Sequence, residues 1–156
     1  VLELSRIGLP PPGVILGIHE FNIPVRASDV VQAVRGEVVA CPENLGRPVF
    51  GYTVLDSLRA IVSRSGNDLI HLYGATNERA LVFTNVEHGR SPLVAIRIFP
   101  FKPRVVVMHG PQRLDPVAIQ IARAENLLTA ISRAATVKEI LDALASMEGK
   151  PGVALA

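Results

Sequence analysis

Residues 104–147, RVVVMHGPQRLDPVAIQIARAENLLTAISRAATVKEILDALASM, decide the fold. Residues 104–108 form a short valine-rich run, long enough for a buried strand and too short for a helix. His109-Gly110-Pro111 stops it. Asp115 can then cap a helix whose first residue is Pro116, where a missing N–H costs nothing. Val117, Ile121 and Ala124, with Ala118 and Ala122, supply its apolar face. Residues 127–131 are a second apolar run. Thr136 and Glu139 match a capping box, Val137, Ile140, Leu141 and Leu144 make the last buried stripe, and Gly149 with Pro151 closes it. Strand, helix, strand, helix in this order predicts a parallel β-α-β unit with a right-handed crossover. Ligands of such sheets sit beyond the carboxyl ends of the strands, which here means residues 109–115.

The rest of the chain extends this pattern. Residues 1–13 are an apolar lead ending in three prolines, read as a linker, and residues 14–150 as a single α/β domain with a tail at 151–156. The run 14–18 reads as the first core strand, ending at His19-Glu20. Ser28 is placed to cap a helix through about Arg35, and residues 37–41 read as a strand. Residues 42–51 (PENLGRPVFG) read as a surface loop. A helix is expected from Thr53, with Leu55, Leu58, Ile61 and Val62 inward, then a strand at 68–73. Residues 79–85 and 92–99 read as a β-hairpin, because Val94, Ile96 and Ile98 alternate with Ala95 and Arg97. The expected architecture is a mixed sheet with parallel βαβα units at both ends of the chain, a central antiparallel hairpin, and helices packed on the sheet.

Composition excludes several classes. Of 156 residues 49% are hydrophobic, enough for a sizeable core. No apolar run approaches the ~20 residues that span a bilayer, and no signal-peptide pattern is present. The single cysteine permits no internal disulfide and suits a reducing cytoplasm. A net charge of +2 is too small to announce nucleic acid, although the isoelectric point is near 9.0. Three lysines stand among 16 basic residues and there are 12 prolines, a composition that favours a thermophile. The chain begins with Val1, as a domain within a longer protein would.

Few residues carry recognisable chemistry. His19 and His109 both follow predicted strands, and parallel strands would set them on one rim with Glu20 and His71 nearby. Two imidazoles and a carboxylate are a metal-site composition, yet the spacing is no metal motif, so no metal is assigned. Gly110, Gln112 and Arg113 lead into a helix N-terminus, which attracts anions, while Asp115 competes for the same N–H groups. The glycines of a dinucleotide fingerprint are missing, and no cofactor is indicated. Tyr73, Thr76, Asn77 and Arg79 surround one strand end, as a pocket lining or as a solvated turn. Cys41 has no base placed to activate it.

Two resemblances add to this reading. HGPQRLDPVAIQIARAENLLTAIS (109–132) is similar to the strand–helix–strand unit of small regulatory domains of the DRTGG type. HEFNIPVRASDVV, RPVFGYTVLDSLRA, YGATNERALVF and KPRVVVMHGPQRLDPVAIQIARAEN together resemble the C-terminal portion of archaeal winged-helix transcriptional regulators. That resemblance implies a preceding DNA-binding domain and transfers no role to individual residues. The reading is a cytoplasmic sensor or dimerisation domain of a regulator, with no DNA binding by this chain alone. It would act as a homodimer and bind a small ligand, preferably an anion, at His19, Glu20, His109, Gly110, Gln112, Arg113, Thr76 and Asn77. The alternatives are a small enzyme using His19, Glu20 and His109 in acid–base or metal-assisted chemistry, and a structural homodimer module.

Overall fold

The computed structural model describes residues 15–56, 76–98 and 102–147. The elements are β1 (Ile15–Arg26), α1 (Ala27–Ala33), β2 (Gly36–Ala40), a 3-10 turn (Pro42–Asn44), β3 (Pro48–Asp56), β4 (Ala80–Thr84), α2 (Arg90–Ile98), β5 (Val105–His109), α3 (Pro116–Ala124), β6 (Leu128–Ser132) and α4 (Val137–Ala145). The six strands form one sheet in the order β1-β3-β4-β5-β6-β2. The four inner strands are parallel, and each edge strand is antiparallel to its neighbour.

Side-chain alternation divides the core into two layers. Val82, Val105, Val107 and Leu128 point to one face, where Val30 of α1, Val34 just after it, and Ile140 and Leu144 of α4 cover them. Leu81, Phe83, Val106 and Met108 point to the other, under Leu93 and Ile96 of α2 and Ile121 and Ala122 of α3. All of β4 and β6 is buried, which is why both are mainly apolar with only small hydroxyl residues among them. Helices α2 and α3 share a face, as two crossovers of the same hand stepping from β4 to β5 to β6 require. Asp115 and Thr136 cap α3 and α4 as the sequence predicts: Asp115 Oδ1 accepts from Val117 N (2.7 Å) and Thr136 Oγ1 from Glu139 N (3.2 Å). Val117 was expected inside α3 but is 41% exposed.

The class is as expected, a mixed α/β sheet carrying helices, but three elements differ. There is no central hairpin. Residues 80–84 are an inner parallel strand, and 90–98 are a helix. The alternation around Val94 and Ile96 also contains a helical step, Leu93 to Ile96. That step wins because both side chains bury against α3 and the sheet while Val94 stays 43% exposed. Lys102 Nζ donates to the carbonyls of Ile96 and Arg97, both at 2.8 Å, and so satisfies the end of α2. The antiparallel pairings lie at the sheet edges instead. Thr53 opens no helix: residues 48–56 are β3, so the expected loop ends earlier, and the remainder of the expected helix and the 68–73 strand fall outside the described residues. In α1, Arg26 N donates to Asp29 Oδ2 (3.1 Å), and Ser28 lies inside the helix instead of capping it.

Substitutions in α2 test this register. Ile96→Ala should cost about 2–5 kcal/mol in urea unfolding, and Val94→Ala about 0.5 kcal/mol or less. Equal costs would return the segment to a strand with Val94 and Ile96 on one buried face.

Candidate functional site

The inner strands place Asp56, Thr84, His109 and Ser132 at one rim of the sheet. At the opposite rim a single cation gathers the chain. Arg79, the residue before β4, is fully buried. Its guanidinium forks onto Glu20, Nη1 to Oε1 at 2.8 Å and Nη2 to Oε2 at 2.7 Å. Nη2 also donates to the carbonyls of His19 and Tyr52, both at 3.1 Å, and Nη1 to that of Thr76 at 3.2 Å. Burial pulls the Arg79 pKa down and Glu20 opposes it. Arginine starts so high that the group stays charged at neutral pH. Gly51, paired with Glu20 across β1 and β3, makes the room: a Cβ there would stand 2.6 Å from the His19 carbonyl oxygen and 2.8 Å from Arg79 Nη2. Asn77 Nδ2 donates to the Lys102 carbonyl (2.9 Å). The rings of His19, Phe21 and Tyr52 pack with centroids 5.8–6.3 Å apart.

The carboxyl rim is built differently. From β5 the chain passes to α3 on one face, and from β6 to α4 on the other. Connections that part in this way open a crevice between neighbouring strand ends. His109 stands in it. Its Nε2 is 3.0 Å from the Ala134 carbonyl, which can only accept, so this nitrogen carries the proton. Arg133 Nη2 spans the same crevice, donating to the Gln112 carbonyl (2.8 Å) and to Glu37 Oε1 (3.1 Å). Gly110 has φ +131°, and a Cβ would run into the Val86 carbonyl oxygen. Gln112 and Arg113 are exposed. Asp115 accepts from Val117 N–H and from Arg90 Nη2 (2.9 Å), contacts that hold its carboxyl below the usual range, the backbone N–H foremost.

The eight expected ligand residues therefore fall into two groups. His109, Gly110, Gln112 and Arg113 share the carboxyl rim. His19, Glu20, Thr76 and Asn77 surround Arg79 toward the amino ends of the inner strands. The expectation that His19 and His109 share a rim is overturned, because β1 is antiparallel to β3 and so to β5. The acid–base or metal grouping of His19, Glu20 and His109 loses its basis with it. The first run looked like a buried parallel strand, yet β1 is a twelve-residue edge with Leu16 and Ile18 about 40% exposed. Among the described residues no three His, Cys, Asp or Glu side chains are grouped to hold a metal ion, and no helix is long and apolar enough to cross a membrane. His71 is outside the described residues. Cys41 is buried, and burial pushes its thiol up, away from the reactive thiolate.

Sequence reasoning set Arg79 at the start of a strand, as part of a pocket lining or a solvated turn, and missed that it organises one end of the sheet. The available signals were an arginine leading directly into ALVF and a glycine inside the apolar run around Gly51.

Two expectations follow. Arg79→Met should destabilise by about 3 kcal/mol, the lower end for breaking a buried pair, since Glu20 is 39% exposed and can turn to water. Glu20→Ala should cost more, because it leaves the buried cation with neutral acceptors only; urea unfolding ranks the two. Asp115→Asn should lower the melting temperature at pH 7. A carboxyl depressed by folding stabilises above its unfolded pKa of about 3.9 and loses that contribution as pH falls through its folded value. The gap between wild type and variant should therefore close in acid, and a gap constant down to pH 2 would contradict the cap.

No protein-family model matches the chain, and no solved structure matches it significantly. Two relatives do. The chain is 43% identical over 120 residues to an uncharacterized HTH-type transcriptional regulator of Methanocaldococcus jannaschii, covering 76% of this chain and 49% of that protein. It is 38% identical over 115 residues to an uncharacterized HTH-type transcriptional regulator of Archaeoglobus fulgidus, covering 72% and 49% respectively. The chain thus spans about half the length of the relatives it matches, and what it is similar to is one half of archaeal proteins named as transcriptional regulators.

Proposed function

We propose that this chain is the regulatory half of an archaeal transcriptional regulator, a cytoplasmic α/β domain that senses a small anion, dimerises, and leaves DNA reading to another part of the protein. The observation that carries the reading is the likeness to two proteins named HTH-type transcriptional regulators. The fold supports the division of labour. Along the described residues every α-helix is separated from the next by a strand, so none of them forms a helix-turn-helix. A net charge of +2 gives little affinity for phosphates.

The sensing site in this reading is the crevice between β5 and β6. His109 lines it, Arg113 and Arg133 supply positive charge, and the amino ends of α3 and α4 open toward it. A ligand that engages Arg133 competes with its bond to the Gln112 carbonyl and with Glu37 on β2. Two states that differ in this contact have different affinities for the ligand, which is the requirement for a switch.

The test uses a chimera in which this chain replaces the matching half of the jannaschii relative, with duplex DNA selected from a random pool by that relative. The chimera should bind the selected DNA, and a panel of phosphate- and carboxylate-bearing metabolites should include one that changes its occupancy. Arg113→Ala should weaken that response about tenfold, the size of one lost charge-assisted contact. This chain alone should not shift the selected DNA at physiological salt. Sequence-specific binding by the isolated chain, or a chimera indifferent to the whole panel, would overturn the reading.

A further inference from the structure

The geometry points to the open edge of β2 as the surface on which a second copy of this chain docks. The two β2 strands run antiparallel about a two-fold axis, and the two six-stranded sheets become one. This deepens the dimerising part of the reading above and leaves its ligand part aside: a monomeric chain could still answer a ligand in the chimera.

One side of β2 is hydrogen-bonded to β6, and no strand among the described residues pairs with the other side. An uncovered row of N–H and C=O groups is a template for a further strand. A groove of about 480 Å³ follows this edge, lined by Val38, Val39, Ala40 and Cys41, with Pro42, Glu43 and Arg123 at its end, beyond the strand. The strand, GEVVA, contains none of the lysines or prolines that commonly guard an edge. Its one register shift falls between Val38 and Ala40, so residues 36–38 remain regular. The far edge of the sheet offers less: β1 carries Pro24 and two register shifts, which break its outer row.

Charge selects the occupant. Arg35 and Glu37 stand at the start of β2, and Glu43 and Arg123 at its end; all four are exposed. Each end of the strand therefore holds one acid and one base. A two-fold axis through the middle of β2 lays the start of one strand against the end of the other. Glu43 then meets Arg35 of the second copy, and the contact occurs twice because the interface is isologous. Glu37 already engages Arg133, so the Arg35–Glu43 pair is the one open to the partner.

Sedimentation equilibrium of the whole chain tests this, with circular dichroism confirming that each variant folds. The wild type should be a dimer with a dissociation constant of about 1 μM or tighter. Arg35→Glu and Glu43→Arg, both on exposed side chains, should each weaken it at least about tenfold by facing like charges across the axis. The double reversal Arg35→Glu with Glu43→Arg should restore the wild-type constant to within about threefold. A wild-type monomer at every concentration, single reversals without effect, or a double reversal no better than the singles would each overturn the proposal.

Discussion

A buried guanidinium is hard to place, and the amino end of this sheet is arranged around one. Arg79 reaches from the start of β4 to the carboxylate of Glu20 on β1 and to carbonyls of β1 and β3. Three strands that are distant in sequence are held by one side chain. The cost of removing that charge from water is large, and only a bidentate partner with further acceptors offsets it. Glu20 provides the fork, the backbone provides the acceptors, and Gly51 provides the space. The antiparallel placement of β1 sets Glu20 opposite Gly51 and within reach of Arg79. A parallel β1 would present another register, and Glu20 would not lie opposite Gly51.

Holding β1 in this way separates the two ends of the sheet by role. The amino end is closed by a bidentate ion pair, an asparagine bond to the next loop, and packed rings. The carboxyl end is joined by separate hydrogen bonds and no buried ion pair among the described residues: the His109 imidazole, the hydroxyls of Thr84 and Ser132 on the Leu55 and Val34 carbonyls, Asn85 on Asp56, and a surface arginine bridging three segments. Such contacts exchange more readily for a ligand than a buried pair does. In the proposed reading the amino end is the scaffold and the crevice between β5 and β6 is the part that responds. Arg133 also touches Glu37 on β2, so the crevice and the edge strand share one side chain.

Residues 104–147 were legible because local signals agreed there. Asp115-Pro116 and Thr136 are strong caps, and the runs between them have one period each. The middle of the chain was harder. In RSPLVAIRI a period of two and a period of 3.6 share residues, and only burial against α3 decides between them. The parallel direction of β5 and β6 was legible from the helix between them, but the direction of β1 was not. Nothing in LGIHEF states whether the strand runs with or against β5, since it pairs with β3 and meets Arg79, both far along the chain. That is why His109, Gly110, Gln112 and Arg113, contiguous in sequence, stayed together in space, while His19 and Glu20 joined a different group.

The dependence of this architecture on the Arg79–Glu20 contact is open to one direct measurement, a double-mutant cycle. Unfolding free energies of the wild type, Glu20→Gln, Arg79→Met and the double variant isolate the coupling between the two side chains. A bidentate pair on a buried guanidinium predicts a coupling of about 2–3 kcal/mol, with the double variant more stable than the two single costs added together. A coupling below about 0.5 kcal/mol, the value for groups that do not interact, would contradict the account.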